Sequence, residues 1–252
     1  MFSLCASLEI AGRVRGGKGL LGWIGALPWD EPMVLAVALS LVLLAFGGGG
    51  GLINMSYDMN LMIHNTAWVP AHFHLIFGGA IVIMYFAIAY EMWPRITGKP
   101  LRSKRLARWQ LWLWFIGMFV TTVPWHITGL MGQPRRVAIF DYSDPLLAPM
   151  VPLVVLSVIG GVILLTSAIL LIIVLVRSQL GESKLPAPLQ YALAVNPPIK
   201  VPNALNGFAL WNAILLMFMV LEYGYPIGQF FGLESSVPTY EVTRQPTMLG
   251  VR

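Results

Sequence analysis

Five long apolar runs constrain the fold of this chain more than any other feature of its sequence. Each run reaches the length of about 20 helical residues that crosses a bilayer core of about 30 Å. Because the lipid interior offers no hydrogen-bond partners to the backbone, each run is predicted to be a transmembrane helix. The predicted spans are residues 34–54, 67–93, 109–132, 148–176 and 207–231.

The composition agrees with a membrane protein. Only 11% of the 252 residues are charged, whereas a soluble domain usually carries about 25%. We therefore predict an all-α, polytopic transmembrane helix bundle that forms a single membrane domain over residues 1–252. Residues 1–10 are apolar but too short to span, which predicts the end of a helix whose beginning is absent from this chain.

The loops between the runs predict an orientation. Residues 11–32, 94–108 and 177–201 hold most of the 16 basic residues, and these three loops lie on one side because they alternate along the chain. The positive-inside rule places them in the cytoplasm. The net charge of +5 is explained by this topology, so nucleic acid is not expected as a partner.

Two histidines near the outer end of the second predicted span are the main candidates for chemistry. His72 and His74 flank Phe73 in the stretch HNTAWVPAHFHL. At about 100° per residue in a helix they point roughly 200° apart, so they do not chelate one ion from one face. Intramembrane ionisable side chains are costly and usually functional, and neutral imidazole is a standard axial ligand of haem iron. The alternative is that each histidine bonds to a neighbouring helix.

Two arginines lie at a similar predicted depth. Arg135 and Arg136 come just after the third span, and His64 and Asp58 precede the second span. Adjacent guanidiniums bind the carboxylates of a haem through charge-assisted forks. An ordinary charged interfacial loop is the alternative.

The five glycines at 47–51 have two interpretations. They weaken the end of a helix, or they let a helix or a flat ligand approach closely. Glu222 in the last span is a functional candidate as an intramembrane carboxylate, with a hydrated interfacial group as the alternative.

Several segments resemble one known family, in order and at matching spacing. The chain is similar to the C-terminal half of subunit I of B-family haem–copper oxidases, the ba-type cytochrome c oxidases of thermophiles. The resemblance is strong from Ser7 to about Arg136 and weaker but collinear beyond. The matching segments are SLEIAGRVRGGKGLLGWIGALPWDEP, HNTAWVPAHFHL, PRITGKPL, LWLWFIGM and PRR.

The resemblance implies roles for the histidine pair. His72 would be the proximal ligand of a high-spin a-type haem, where oxygen is reduced. His74 would be one of two axial ligands of a low-spin haem, b-type or a-type. Phe73 would lie between the two haems in a short electron path.

The resemblance also implies roles near the outer surface. Arg135 and Arg136 would hold haem propionates, on the side where the dinuclear copper of subunit II delivers electrons. His64 would sit near a propionate of the high-spin haem, in the region proposed to load pumped protons. The family has Asp where this chain has Asn60, so either Asp58 takes that part or this detail differs.

As a whole, the resemblance implies part of a terminal respiratory oxidase in a prokaryotic plasma membrane. Electrons would pass from cytochrome c to a haem–copper centre that reduces oxygen to water with proton pumping. The ligands of copper B and the second axial histidine are not supplied by this chain, and His126 is read as structural or propionate-proximal. The expected partners are therefore the N-terminal half of subunit I, subunit II, cytochrome c, lipid and oxygen, and the chain alone is expected to be inactive.

Two alternatives remain at this point. A nitric oxide reductase catalytic subunit of the same superfamily has a similar histidine pair but a non-haem iron in place of copper. A transporter or structural membrane subunit is the non-redox alternative, although transporters usually show internal repeats or broken helices, and no repeat is evident here.

Overall fold

The computed structural model describes residues 2–137, 141, 144–145, 147–181 and 202–232. The chain divides into two compact units, residues 1–189 and 190–252, which are described separately. The predicted single membrane domain stays a prediction. The helices of the first unit are α1 (Phe2–Val14), α2 (Gly22–Gly25), α3 (Pro32–Met55), α4 (Tyr57–Ile63), α5 (Trp68–Phe73), a π-helix (His74–Ile81), α6 (Val82–Thr97), α7 (Lys104–Leu130) and, after a 3₁₀ turn (Ala148–Met150), α8 (Val151–Gln179).

The five predicted membrane spans are confirmed. Five helical segments are long and apolar enough to cross a bilayer, and their ends differ from the predicted ends by a few residues. The N-terminal apolar segment is helical as well and forms α1, which has 13 residues. The five segments are Pro32–Met55, Trp68–Thr97, Lys104–Leu130, Ala148–Gln179 and Phe208–Tyr225.

Small residues let α7 and α8 pack closely. A Cβ added to Gly160 of α8 would lie 2.4 Å from the Thr121 hydroxyl oxygen, and one added to Gly117 of α7 would lie 2.9 Å from the Leu164 side chain. Since lipid provides no hydrophobic force between helices, close van der Waals packing at small residues is how such helices associate. The pair forms one wall of the unit that carries the histidines.

A buried polar network joins α6, α7 and α8. The Tyr90 hydroxyl donates to Gln110 Oε1 at 2.8 Å, and Gln110 Nε2 donates to the Ser167 hydroxyl at 3.0 Å. The Ser167 hydroxyl in turn donates to the Gln110 carbonyl oxygen at 2.7 Å. Both Gln110 and Ser167 are fully buried, so these bonds satisfy groups that have no access to water.

Replacing Gln110 by Leu should lower the stability of the bundle. The variant leaves the Tyr90 and Ser167 hydroxyls without their Gln110 side-chain partners, at a cost of about 1–2 kcal/mol. Thermal unfolding in detergent measures this loss. The control is Thr166→Val on the exposed side of α8, where the hydroxyl bonds only to its own turn; equal melting temperatures for the two variants would refute the network's role.

The second span departs from the continuous α-helix that the sequence predicts. It runs as an α-helix to Phe73 and as a π-helix from His74 to Ile81. The Ser40 hydroxyl of α3 donates to the Ala80 carbonyl at 2.9 Å, and Trp114 Nε1 of α7 donates to the Gly78 carbonyl at 2.8 Å. A π-turn contains more residues than an α-turn and is frequent at functional sites. Tertiary contacts with both neighbouring helices therefore accompany the change in helix type next to the histidine pair.

In the second unit, the described residues form α9 (Asn203–Asn206) and α10 (Phe208–Gly232). Glu222 lies on α10 and its side chain is exposed within this unit. Neither of its two interpretations is tested by this placement.

Candidate functional site

His72 lies in the last turn of α5 and is held by the glycine run of α3. Its ring Nδ1 is 2.9 Å from the carbonyl oxygen of Gly47. A carbonyl oxygen only accepts, so the contact assigns the proton to Nδ1. Nε2 then keeps its lone pair, which is the form of imidazole that binds a metal ion.

His74 makes the same kind of hydrogen bond, but to a backbone carbonyl of α5. Its Nδ1 is 2.7 Å from the Pro70 carbonyl oxygen, one turn earlier in the same span. The Phe73 ring lies 4.4 Å from the His74 ring, and the Trp125 ring of α7 meets it edge-on at 5.3 Å. Nε2 of His74 is thus also left with its lone pair, on an imidazole whose plane is fixed by two aromatic neighbours.

The glycine run lies directly against His72. A Cβ added to Gly51 would be 3.1 Å from His72 Cε1, and one added to Gly50 would be 3.3 Å from His72 Nδ1. One added to Gly47 would be 2.5 Å from Ile76 Cγ1, whereas Gly48 and Gly49 have no neighbour within 4 Å. Of the two interpretations of this run, close approach is the one that the structure supports, and the approaching group is His72.

His126 of α7 is part of the same neighbourhood. Its Nδ1 is 2.8 Å from the Thr122 carbonyl oxygen, and the Trp68 ring meets it edge-on at 4.7 Å. A Cβ added to Gly50 would lie 3.6 Å from His126 Nε2 as well as close to His72. His126 and Trp68 line an adjoining cavity of about 310 Å³ with mostly apolar walls.

A short backbone pairing holds the loop that carries the two arginines. The Arg135 N–H donates to the Asn65 carbonyl at 2.9 Å, and the Ala67 N–H donates to the Gln133 carbonyl at 2.8 Å. Arg135 Nη2 also donates to Asn65 Oδ1 at 3.0 Å. This pairing fixes the loop after α7 against the residues just before α5, and thus against the start of the histidine-bearing span.

Left-handed backbone marks this pairing on both sides. Asn65 has φ of 64° and Arg136 has φ of 60°. Asn tolerates this conformation, but for Arg it is uncommon, and such strain clusters at functional sites. Arg135 Nε is buried with no protein partner, and within the described residues no carboxylate pairs with either arginine. Both guanidiniums therefore have capacity for an anion.

His64 lies beside this pairing, since it directly precedes Asn65. Its side chain is exposed, and its backbone N–H donates to the Asn60 carbonyl at 2.7 Å. Asp58 is exposed in α4, and Asn60 is half-buried. The geometry brings His64 close to the arginine loop along the chain but does not choose between Asp58 and Asn60.

The donor set fits haem. Among the described residues there is no group of three or more His, Cys, Asp or Glu side chains able to hold a metal ion by themselves. Haem iron needs only one or two axial ligands from protein, because the macrocycle supplies the others. His72 and His74 each present one Nε2 lone pair, and the arginines offer donors to carboxylates.

Three residues at the site were not singled out from the sequence. They hold or orient the named ones through a backbone carbonyl, an amide and a ring edge, which no motif reveals. Only the positive φ of Asn65 had a sequence signal, since Asn is enriched in that conformation. The three are Asn65, Pro70 and Trp125.

Comparisons with known proteins agree with this chemistry. Residues 2–163 match the family model described as cytochrome c and quinol oxidase polypeptide I. A cytochrome c oxidase subunit 1 of Thermus thermophilus is 38% identical over 249 residues, which cover 96% of this chain and 44% of the relative. A shorter Thermus thermophilus sequence of the same name is 41% identical over 108 residues, covering 42% of this chain and all of the relative.

A solved structure has the same architecture. A heme-copper terminal oxidase dimer determined by cryo-electron microscopy matches with a TM-score of 0.63 and 29% identity, over 90% of this chain and 41% of its own. The chain thus spans less than half the length of this structure and of the longer Thermus relative.

Proposed function

The chain belongs to the cytochrome c and quinol oxidase polypeptide I family, and from that premise we propose that it is the haem-holding part of a terminal oxidase. The proposed reaction carries electrons from cytochrome c through a low-spin haem to a high-spin haem–copper centre. Oxygen is reduced there to water, with proton pumping across a prokaryotic plasma membrane. The copper ligands and the second axial histidine come from the N-terminal half of subunit I.

One observation carries the proposal. Two imidazoles within three residues each donate from Nδ1 to a backbone carbonyl of a different element, Gly47 on α3 and Pro70 within the second span. Each leaves one Nε2 available as an axial ligand. The family resemblance assigns His72 to the high-spin haem and His74 to the low-spin haem. Bound haem supplies one-electron chemistry and oxygen binding at its iron, with a-type substituents at the first site and a- or b-type substituents at the second.

The rings around His74 support a role in electron transfer. Phe73 is tilted by 32° against the His74 ring at 4.4 Å, and its side chain is 41% exposed. It lies between the two candidate ligands in the chain, so an exposed ring there is available to contact both haems. Trp125 and Phe73 together keep the His74 imidazole from rotating.

The arginine loop supports propionate binding and electron entry. Arg135 is anchored through Nη2 to Asn65, which leaves its buried Nε without a protein partner. A carboxylate is the anion that a guanidinium fork fits best. We therefore assign haem propionates to Arg135 and Arg136, with subunit II and its dinuclear copper docking over this end.

The neighbouring His64 is assigned to proton loading. It is exposed at the end of α4 and adjoins Asn65, which holds Arg135. The family resemblance places a histidine of this kind in the region proposed to load pumped protons, and histidine is the side chain that commonly serves as a proton shuttle. Among the described residues before α5, Asp58 is the carboxylate nearest to His64 along the chain.

Spectroscopy tests the proposed function directly. The tagged chain is purified from native membranes, and a reduced-minus-oxidised spectrum is recorded with mass identification of its partners. The expected result is two haem signals and a partner that supplies the remaining helices. A preparation with those helices but without haem would overturn the proposal.

Replacing Arg135 and Arg136 by Gln should slow electron entry more than it lowers haem content. Haem content should change little because the iron ligands still hold the haem. The loss of one charge-assisted hydrogen bond, about 1.5 kcal/mol, should slow electron entry by about tenfold. Stopped-flow reduction by cytochrome c and a haem assay measure the two quantities. The control is Arg15→Gln/Arg102→Gln, which removes the same charge from other loops; an unchanged entry rate in the Arg135/Arg136 variant would contradict the assignment.

A further inference from the structure

A second cavity lies at the other end of α7, away from the histidine pair. It has a volume of about 590 Å³ and lies between the start of α7 and the segment that leads into α3. Its lining consists of three tryptophans, two arginines and two aliphatic side chains. The lining residues used below are Trp29, Arg105, Arg108, Trp109, Trp112 and Ile116.

The α7 residues of this cavity share one face and form a gradient along the helix. They recur at spacings of three or four, which puts them on one side of an α-helix. The arginines come first and the tryptophans next, and Ile116 lies about 16 Å beyond Arg105 along the helix axis at 1.5 Å per residue. In membrane proteins, basic side chains lie at the headgroups, tryptophans at the interface and aliphatic side chains among the acyl chains, which is the same order.

Within the part of the chain that the structure describes, the two arginines of this cavity have no carboxylate partner. Arg108 Nε is buried with no protein partner, and within the described residues neither Arg108 nor Arg105 pairs with a carboxylate. The neighbouring carboxylate, Glu31, is bonded instead to Lys104 at 2.5 Å. An anion at this place therefore meets two available guanidiniums, one of which is already partly desolvated.

The wall opposite α7 is fixed in position. The bond between Glu31 and Lys104 ties the segment before α3 to the first turn of α7. Trp29 Nε1 donates to the Ile24 carbonyl at 2.8 Å, which orients its indole ring. Contacts within the protein thus hold this wall of the cavity in place.

The open side of the cavity is apolar. Trp109 is 55% exposed and Trp112 is 41% exposed, on a helix long and apolar enough to cross a membrane. A small soluble anion would contact the arginines but not these exposed indoles. A ligand with an anionic head and a long apolar tail would contact both the arginines and the indoles.

We propose that this cavity is a binding site for an anionic phospholipid. The phosphate lies between the guanidiniums of Arg105 and Arg108, and the acyl chains run along Trp109, Trp112 and Ile116. This inference concerns residues outside the histidine and arginine sites described above and does not rest on the proposed oxidase function. The site selects by headgroup charge, so a zwitterionic lipid of the same chain length binds more weakly.

Native mass spectrometry tests the selectivity. The full chain, in its purified complex, is released from micelles that contain equal amounts of phosphatidylglycerol and phosphatidylcholine with identical acyl chains. An excess of phosphatidylglycerol adducts is expected, which falls in Arg105→Gln/Arg108→Gln by about fivefold for each guanidinium lost. Arg102→Gln, an exposed charge in the same loop outside the cavity, should keep the excess.

Three results would overturn the proposal. The first is an unchanged phosphatidylglycerol excess in the Arg105/Arg108 variant, and the second is an equal loss in Arg102→Gln. The third is equal competition by soluble glycerol phosphate, which would mean that the site binds an anion and not a lipid.

A second measurement on the unmodified chain avoids dependence on variant folding. Phosphatidylglycerol with a photoreactive group on its acyl chain is cross-linked to the complex, and the labelled peptides are identified. Labelling within residues 109–116 is expected. Labelling of the complex that omits these residues would refute the site.

Discussion

Replacing His74 by Ala in the assembled complex should abolish the low-spin haem spectrum and leave some high-spin signal. His74 offers the Nε2 lone pair that its Nδ1 bond to the Pro70 carbonyl leaves available. Ala has no metal ligand, and no other described histidine shares its contacts with Phe73 and Trp125. In this variant His72 is unchanged, and the Gly47 carbonyl of α3 still holds its ring. A reduced-minus-oxidised spectrum of the purified complex measures both signals.

The chain offers a closely matched control for this variant. His126 is another intramembrane histidine whose Nδ1 is bonded to the carbonyl four residues earlier, that of Thr122. His126→Ala therefore removes the same chemical group and the same kind of local bond. It should keep the low-spin signal. An intact low-spin spectrum in His74→Ala, or its loss in both variants, would remove the basis for assigning His74 as an axial ligand.

Replacing Gly51 by Ala should weaken retention of the high-spin haem by about tenfold, the usual lower range when a group that supports a metal-bound histidine is disturbed. The new Cβ would lie 3.1 Å from His72 Cε1, closer than ordinary van der Waals contact. The imidazole must shift by a few tenths of an ångström, which disturbs the geometry of its 2.9 Å bond to the Gly47 carbonyl. Haem content and the high-spin absorbance of the purified complex measure the effect.

The same run of glycines supplies the control for steric contact. Gly49→Ala adds the same methyl group where no heavy atom lies within 4 Å. It also improves helix propensity by up to about 1 kcal/mol, so it should keep the haem and raise stability slightly. If both substitutions lowered the high-spin signal alike, helix flexibility and not contact with His72 would explain the glycines.

The sequence alone determined the membrane class, the five spans and the identity of the candidate ligands. Long uncharged runs leave the backbone no partner in lipid except its own helix, so helix count and approximate bounds follow from composition along the chain. The pair His72 and His74, so close together within an apolar run, also required no structure to be noticed. The resemblance of the chain to the oxidase family was confirmed by the family match over residues 2–163.

The roles of the glycine run and of the arginine loop depended on tertiary structure. The five glycines at 47–51 had two open interpretations, and only the packing of α3 against α5 showed that Gly50 and Gly51 face His72 while Gly48 and Gly49 do not. Similarly, Asn65 and Arg135 lie far apart in the sequence, so the pairing between them that fixes the arginine loop could not be predicted from it. Contacts between distant segments have no local pattern from which to predict them.

The tertiary structure also decided the local geometry of the histidine span. A continuous α-helix was predicted, because apolar composition does not distinguish a π-turn from an α-turn. The π-helix from His74 to Ile81 is held by donors from two other helices, Ser40 and Trp114. Which carbonyls receive such donors is set by how the helices pack. The sequence therefore specified which residues are the candidate ligands, and the packing of α3 and α7 around them decided how their rings are held.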